Sequence, residues 1–177
     1  MTDTLTLFEG RVRLRTGPLH EIALAALEAQ TRTGQAQIFV FDDVTGSAID
    51  LDLSGAAQAV VDRYGPEPKG RGRPKLGVAA REVTLLPRHW EWLATQPGGA
   101  SVTLRKLVEQ ARRDDTGQRR ARLDAAYRFG SAMAGDLAGF EDAVRALYAG
   151  DREGFDARIA AWPADVAGHM RRLAYGD

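Results

Sequence analysis

The chain of 177 residues contains no cysteine, which excludes disulfides, thiolate nucleophiles and Cys-ligated metal sites. No apolar run reaches membrane-spanning length and no leader pattern opens the chain, so a cytoplasmic protein without a membrane partner is expected. A Gly-x-Ser-x-Gly elbow, a phosphate-binding loop and a dinucleotide fingerprint are all missing. The three histidines, His20, His89 and His169, fall in three different elements without ligand-like spacing. These absences point away from an enzyme, and no cofactor is implied.

Net charge is absent too, because 24 Lys and Arg meet 24 Asp and Glu. The balance hides a segregation. Residues 1–68 carry five basic against ten acidic side chains, and residues 123–177 carry six against nine. Between them, residues 69–122 carry thirteen basic against five acidic. A basic middle between acidic ends is the distribution of an element that binds a polyanion, unless the ends neutralise it within the molecule.

That middle also has the most legible pattern. Arg71-Gly72-Arg73-Pro74 lies between Lys69 and Lys75. A strand pattern follows, with Val83 and Leu85 on one side and Glu82 and Thr84 on the other. Pro87 stands where a helix can begin, since its missing N–H would have no intrahelical partner there. The first helix carries Trp90 and Leu93 and is broken by Pro97-Gly98-Gly99. Ser101 is placed to cap a second helix, in which Leu104, Leu107, Val108 and Ala111 recur at helical spacing. Trp90 and Trp92 point to nearly opposite sides, so one is expected in the core and the other against a second surface.

Strand, short helix, glycine turn and capped helix resemble the ribbon-helix-helix module of bacterial repressors. That resemblance implies a dimer whose paired strands enter the major groove, with a phosphate at the second helix start near Ser101. The basic tetrapeptide resembles an AT-hook core, which implies Arg71, Arg73 and Lys75 lying along a minor groove. Arg81, Arg88, Arg105 and Lys106 are the further candidate phosphate contacts.

The flanks read as α+β. Leu5–Phe8 and Val12–Leu14 form a hairpin, a helix runs from Pro18 to Gly34, and Gln37–Phe41 and Ala48–Leu53 form two more strands. A short helix capped by Ser54 completes a ββαββα unit over 1–65. A basic linker over 66–75, the ribbon-helix-helix-like module over 76–113 and a helical region over 114–177 follow. The last region holds a repeat, in which Ala134–Glu141 recurs as Ala149–Asp156. The repeat places Asp136 and Asp151 as helix caps and Phe140 and Phe155 as buried anchors. Asp165 is expected to cap the last helix.

Asp42, Asp43, Asp50 and Asp52 surround one hairpin. A hard cation there would make a metal-dependent enzyme, a third reading, but turn formation or docking of the basic segment accounts better for these acids. The basic middle, the stretch FVFDDVTGSAIDLDL and the tail WPADVAGHMRRLA together resemble an uncharacterised bacterial family, domain of unknown function twenty-two thirty-nine. That resemblance implies a bacterial protein and brings no activity with it. The expected function is DNA binding as a homodimer, with transcriptional regulation as its extension. The alternative is a protein-interaction or dimerisation module that does not touch DNA.

Overall fold

The computed structural model describes residues 4–33, 37–65, 81–113 and 115–176. The fold is α+β, as its patterning implies. Two compact units emerge, one formed by Met1–Pro66 with Arg119–Asp177 and the other by Glu67–Gln118.

In the first unit, β1 (Leu5–Glu9) and β2 (Val12–Gly17) form a hairpin turned at Gly10. Helix α1 (Leu19–Thr33) follows, and β3 (Ile38–Asp42) returns on the far side of β1, giving the antiparallel order β2-β1-β3. Leu5, Thr6, Leu7 and Phe8 are all buried. Alternation explains how: Leu5 and Leu7 share a cluster with Ile22, Ala26 and Val40, while Phe8 joins Phe41 on the other face. A strand covered on both faces loses the apolar–polar alternation of a surface strand.

The second face is covered by helices from the end of the chain. They are α5 (Asp115–Ala134), α6 (Phe140–Ala149), α7 (Arg152–Ile159) and α8 (Ala164–Tyr175). Leu123, Ala126, Gly130 and Met133 of the expected α5 stripe are buried, whereas Tyr127 is exposed. Phe129, off that stripe, is buried and meets Phe8 and Phe41 at ring-centroid distances of 5.5 and 4.9 Å. At Gly130 a Cβ would stand 2.7 Å from the Met170 Cε, so the Met170 thioether of α8 packs directly on the α5 backbone and would have to swing aside for a larger residue.

Several expectations are corrected here. Ala48–Leu53 makes one bridge, Phe41 to Ala48, and then leaves the sheet, so the sheet has three strands. Helix α2 (Ala57–Tyr64) begins after Ala56 without a side-chain cap, not at Ser54. Asp151 caps α7 by accepting the Gly154 N–H at 2.8 Å, as the repeat implies. Its counterpart Asp136 does not cap α6. The left-handed Gly139 holds that position, and Asp136 pairs with Arg11 at 2.6 Å. Pro163 is the residue at the start of α8, and Asp165, within the first turn, accepts the backbone N–H of Arg13 at 2.9 Å. A carboxylate near a helix start has other donors to choose from, and a free strand edge is one.

The Asp42–Gly46 turn is seated on α5. Arg128 donates to the Thr45 carbonyl at 2.9 Å, and a Cβ on Gly46 would run into the Ala125 carbonyl. Gly139 has the same left-handed backbone with open space around it. Gly139→Ala should therefore cost about 1–2 kcal/mol for the backbone alone, and Gly46→Ala clearly more. Urea midpoints compare them; equal losses would show that the turn is not seated as described.

Candidate functional site

In the second unit, Leu86 is extended and Pro87 opens α3 (Pro87–Ala94), as the sequence implies. Gly98 and Gly99 are both left-handed and make the turn into α4 (Gly99–Arg113). Helix, glycine turn and helix stand in the expected order. Within the single chain residues 81–86 belong to no strand, and the expected ribbon strand has no partner there. An isolated strand has nothing to pair with and no stability of its own.

Core and surface are also distributed differently from the expectation. Trp90 and Trp92 are 42% and 50% exposed, and the core position goes to Leu93, at 2%. Thr103 is the other buried residue in the described part of this unit. Val83, Leu86, Leu107 and Val108 are exposed as well. Leu85, His89, Trp92, Leu93, Leu104 and Leu107 line an apolar cavity of about 260 Å³.

Among the candidate nucleic-acid contacts, Arg71, Arg73 and Lys75 lie outside the described residues. Arg81, Arg88, Arg105 and Lys106 are exposed. Ser101 is exposed in the first turn of α4 and is not its cap, because the helix begins at Gly99. The Ser101 carbonyl accepts from Arg105 Nε at 3.1 Å, which ties that guanidinium to its own helix.

The hairpin acids do not converge. Asp42 Oδ1 accepts from the Val44 and Thr45 N–H groups at 2.8 and 2.7 Å, a local turn. Asp52 turns to Ser54 and to Arg63, and Asp50 is exposed. Among the described residues no three His, Asp or Glu side chains gather as a metal site would need. Asp43 turns inward, where both carboxylate oxygens take the Thr6 hydroxyl at 2.8 and 3.0 Å.

That interaction belongs to a buried polar cluster for which the sequence carries no motif. His169 has no exposed surface and packs between Phe8 and Phe129. Arg172 Nη2 lies 2.8 Å from His169 Nδ1. A guanidinium only donates, so Nδ1 holds the lone pair and Nε2 the proton. Nε2 has no hydrogen-bond partner and stands 3.5 Å from Asp43 Oδ1. That approach is not an ion pair: burial, helped by Arg172 and Arg13, pushes the imidazole pKa down to about 3, so the ring is neutral. Burial also raises the Asp43 pKa, against the Thr6 hydrogen bond and the Arg172 charge. No substrate reaches a ring with no exposed surface, and Nδ1 is already occupied. The cluster clasps β1, the turn after β3 and α8 together, and is not a catalytic dyad.

Residues 4–174 match the family model described as an uncharacterized protein conserved in bacteria (DUF2239). The chain belongs to that family. No curated protein and no solved structure matches it, so the ribbon-helix-helix likeness is without structural support from known folds. No helix among the described residues of this family member is long and apolar enough to cross a membrane.

Thr6 and His169 are hard to find from sequence because each is a polar residue among others, and its burial depends on the face it takes in the fold. The available signal is the face: His169 shares a helical stripe with Val166, Met170 and Leu173, and a polar side chain on a face that is otherwise core must find a partner. The depressed His169 pKa has a direct consequence. The unfolded ring protonates near its ordinary value of 6.5, so folding stability is complete above that pH and is lost as pH falls towards 3. The slope is up to about 1.4 kcal/mol per pH unit. The raised Asp43 pKa acts in the opposite sense as pH approaches the carboxylate range. Urea unfolding between pH 7 and 5 should show the loss, and His169→Gln should flatten it. An equal slope in both proteins would contradict the assignment.

Proposed function

We propose that the protein binds DNA as a homodimer through its central helix pair. One observation carries this reading: two helices of 8 and 15 residues and the segment leading into them expose Val83, Leu86, Trp90, Trp92, Leu107 and Val108 while burying little beyond Leu93 and Thr103. A unit this small has too little core to stabilise itself and gains most from association. A second copy offers the same apolar surface, so a two-fold pairing is self-complementary. It would also give the segment at 81–86 the partner strand it lacks within one chain.

Charge supports DNA as the ligand of such a dimer. Residues 69–122 carry thirteen basic and five acidic side chains, and two-fold pairing doubles that excess on one assembly. Phosphate neutralisation supplies non-specific affinity without any base reading. Arg71, Arg73 and Lys75 are assigned to the groove, with Arg81, Arg88, Arg105 and Lys106 on phosphates and Ser101 near the helix start. Transcriptional regulation is the natural use of such a protein.

The apolar face equally favours a second reading, a module that binds a protein partner and leaves DNA alone. Glu82 separates the two. Facing phosphates it repels, so Glu82→Gln raises DNA affinity. In a protein interface the same change strands a cation and weakens the partner instead.

Titration of labelled duplex DNA over a range of salt tests the first reading. The triple variant Arg88→Ala, Arg105→Ala, Lys106→Ala should flatten the dependence of log affinity on log salt by about 0.9 for each phosphate no longer neutralised. An unchanged slope, or no binding of the unaltered protein at low salt, contradicts DNA binding. Sedimentation tests the dimer. The native chain should sediment as a dimer, and Trp92→Ala should weaken association by about 2 kcal/mol or more; a native monomer at all concentrations rules the dimer out.

A further inference from the structure

The three-stranded sheet has two edges, and they are treated differently. Along β2 the edge is blunted. Asp165 takes the Arg13 N–H, the register shifts between Leu7 and Phe8, and Arg13 and Arg15 stand among exposed residues. Bulges, charges and occupied N–H groups are how edges are kept from pairing with foreign strands.

The outer edge of β3 has these devices only at its end. Gly10 N–H reaches the Gln37 carbonyl and Asp43 N–H the Thr4 carbonyl, so the odd-numbered residues of this strand face β1. Ile38 and Val40 therefore turn their backbone groups outward. The Val40 carbonyl accepts the Ile49 N–H at 2.8 Å, and Asp42 N–H reaches the Ser47 carbonyl at 3.0 Å. There the ladder stops. Among the described residues no backbone hydrogen bond joins 50–53 to β3.

Below the last bridge the chain and the strand diverge around a wedge of about 250 Å³. It is lined by Ala26 and Gln30 of α1, Ile38 and Val40 of β3, and Ile49, Asp50, Leu51 and Leu53. A cavity of about 150 Å³ lined by aliphatic side chains takes a benzene ring, so this wedge has room for a large apolar side chain. It lies on the α1 face of the sheet, where alternate side chains of any strand added to β3 must point. Asp50 is exposed and Gln30 is exposed beside it, so the mouth carries one negative charge.

We propose that the outer edge of β3 docks an extended peptide of a partner protein as a fourth strand, with a large apolar side chain in the wedge and a basic residue beside Asp50. Backbone pairing to the N–H and carbonyl of Ile38 and to the N–H of Val40, whose carbonyl Ile49 already holds, supplies the affinity common to strand addition, and the wedge and Asp50 supply the selectivity. The site lies wholly in the first unit and is independent of DNA binding by the second.

The full-length protein is titrated with a fluorescein-labelled seven-residue peptide of alternating Thr and Val, with a central Phe and one flanking Lys. Binding should be saturable and should slow amide exchange at Ile38 and Val40. N-methylation of alternate peptide amides should abolish it, since those groups can no longer pair. Asp50→Lys, at an exposed position, should weaken the Lys peptide by about threefold to tenfold and favour a Glu analogue. Three results overturn the proposal. One is a dissociation constant weaker than about 1 mM. Another is binding indifferent to both N-methylation and Asp50→Lys. The third is slow exchange at Ile38 and Val40 in the free protein, which would mean that the chain's own 50–53 segment closes the edge.

Discussion

Burial of β1 on both faces is the constraint from which the first unit follows. Leu5 and Leu7 require a layer on one side, and α1 supplies it. Phe8 requires another, and the chain provides it only after residue 119. The opening hairpin and the closing helices therefore share one core. The Thr6–Asp43–Arg172–His169 clasp sits in this second interface. Its polar groups are satisfied by one another except for His169 Nε2. Buried polar groups that satisfy one another specify a single arrangement of the elements they join. The position of α8 on the sheet is thus fixed by named donors and acceptors as well as by apolar area.

Much of this is legible in the residues, and the failures have physical reasons. Periodicity locates the hairpin, α1, the α3–α4 pair and the α5 stripe, because local pattern is enough to place an element, even where it does not fix burial, as at Trp90, Leu107 and Tyr127. The Ala48–Leu53 alternation is real, since Ile49, Leu51 and Leu53 do turn to the core around α1, yet it does not make a strand. Alternation specifies a face; pairing needs a neighbour at ladder distance. Capping fails at Asp136 and Asp165 because both carboxylates find stronger claims across the fold, in the Arg11 side chain and the Arg13 N–H. The buried state of His169 is invisible for a different reason. Its neighbours Phe8 and Phe129 are distant in sequence, and no local pattern announces them.

The second unit presents the opposite physics. Where the first encloses its phenylalanines Phe8, Phe41, Phe129 and Phe155 completely, α3 and α4 leave both tryptophans half in solvent. Exposed apolar surface on so small a unit marks an interaction site or a liability to aggregate. The same helices carry Arg88, Arg105 and Lys106, so whatever covers the apolar face must tolerate a basic border. A second copy above a polyanion meets both demands. Family membership extends over residues 4–174 and so treats both units as parts of one protein. On the proposed reading, a self-sufficient unit is joined to one that completes itself by association.

Native-state hydrogen exchange at two protein concentrations tests that division most directly. Amides of β1 and of α8 should exchange with one common opening free energy, unchanged by dilution, because they belong to one core. Amides of α3 and α4 should be less protected and should lose protection on dilution, as mass action requires of a unit completed by a second copy. Protection of α3 and α4 that equals that of β1 and ignores concentration would contradict the account.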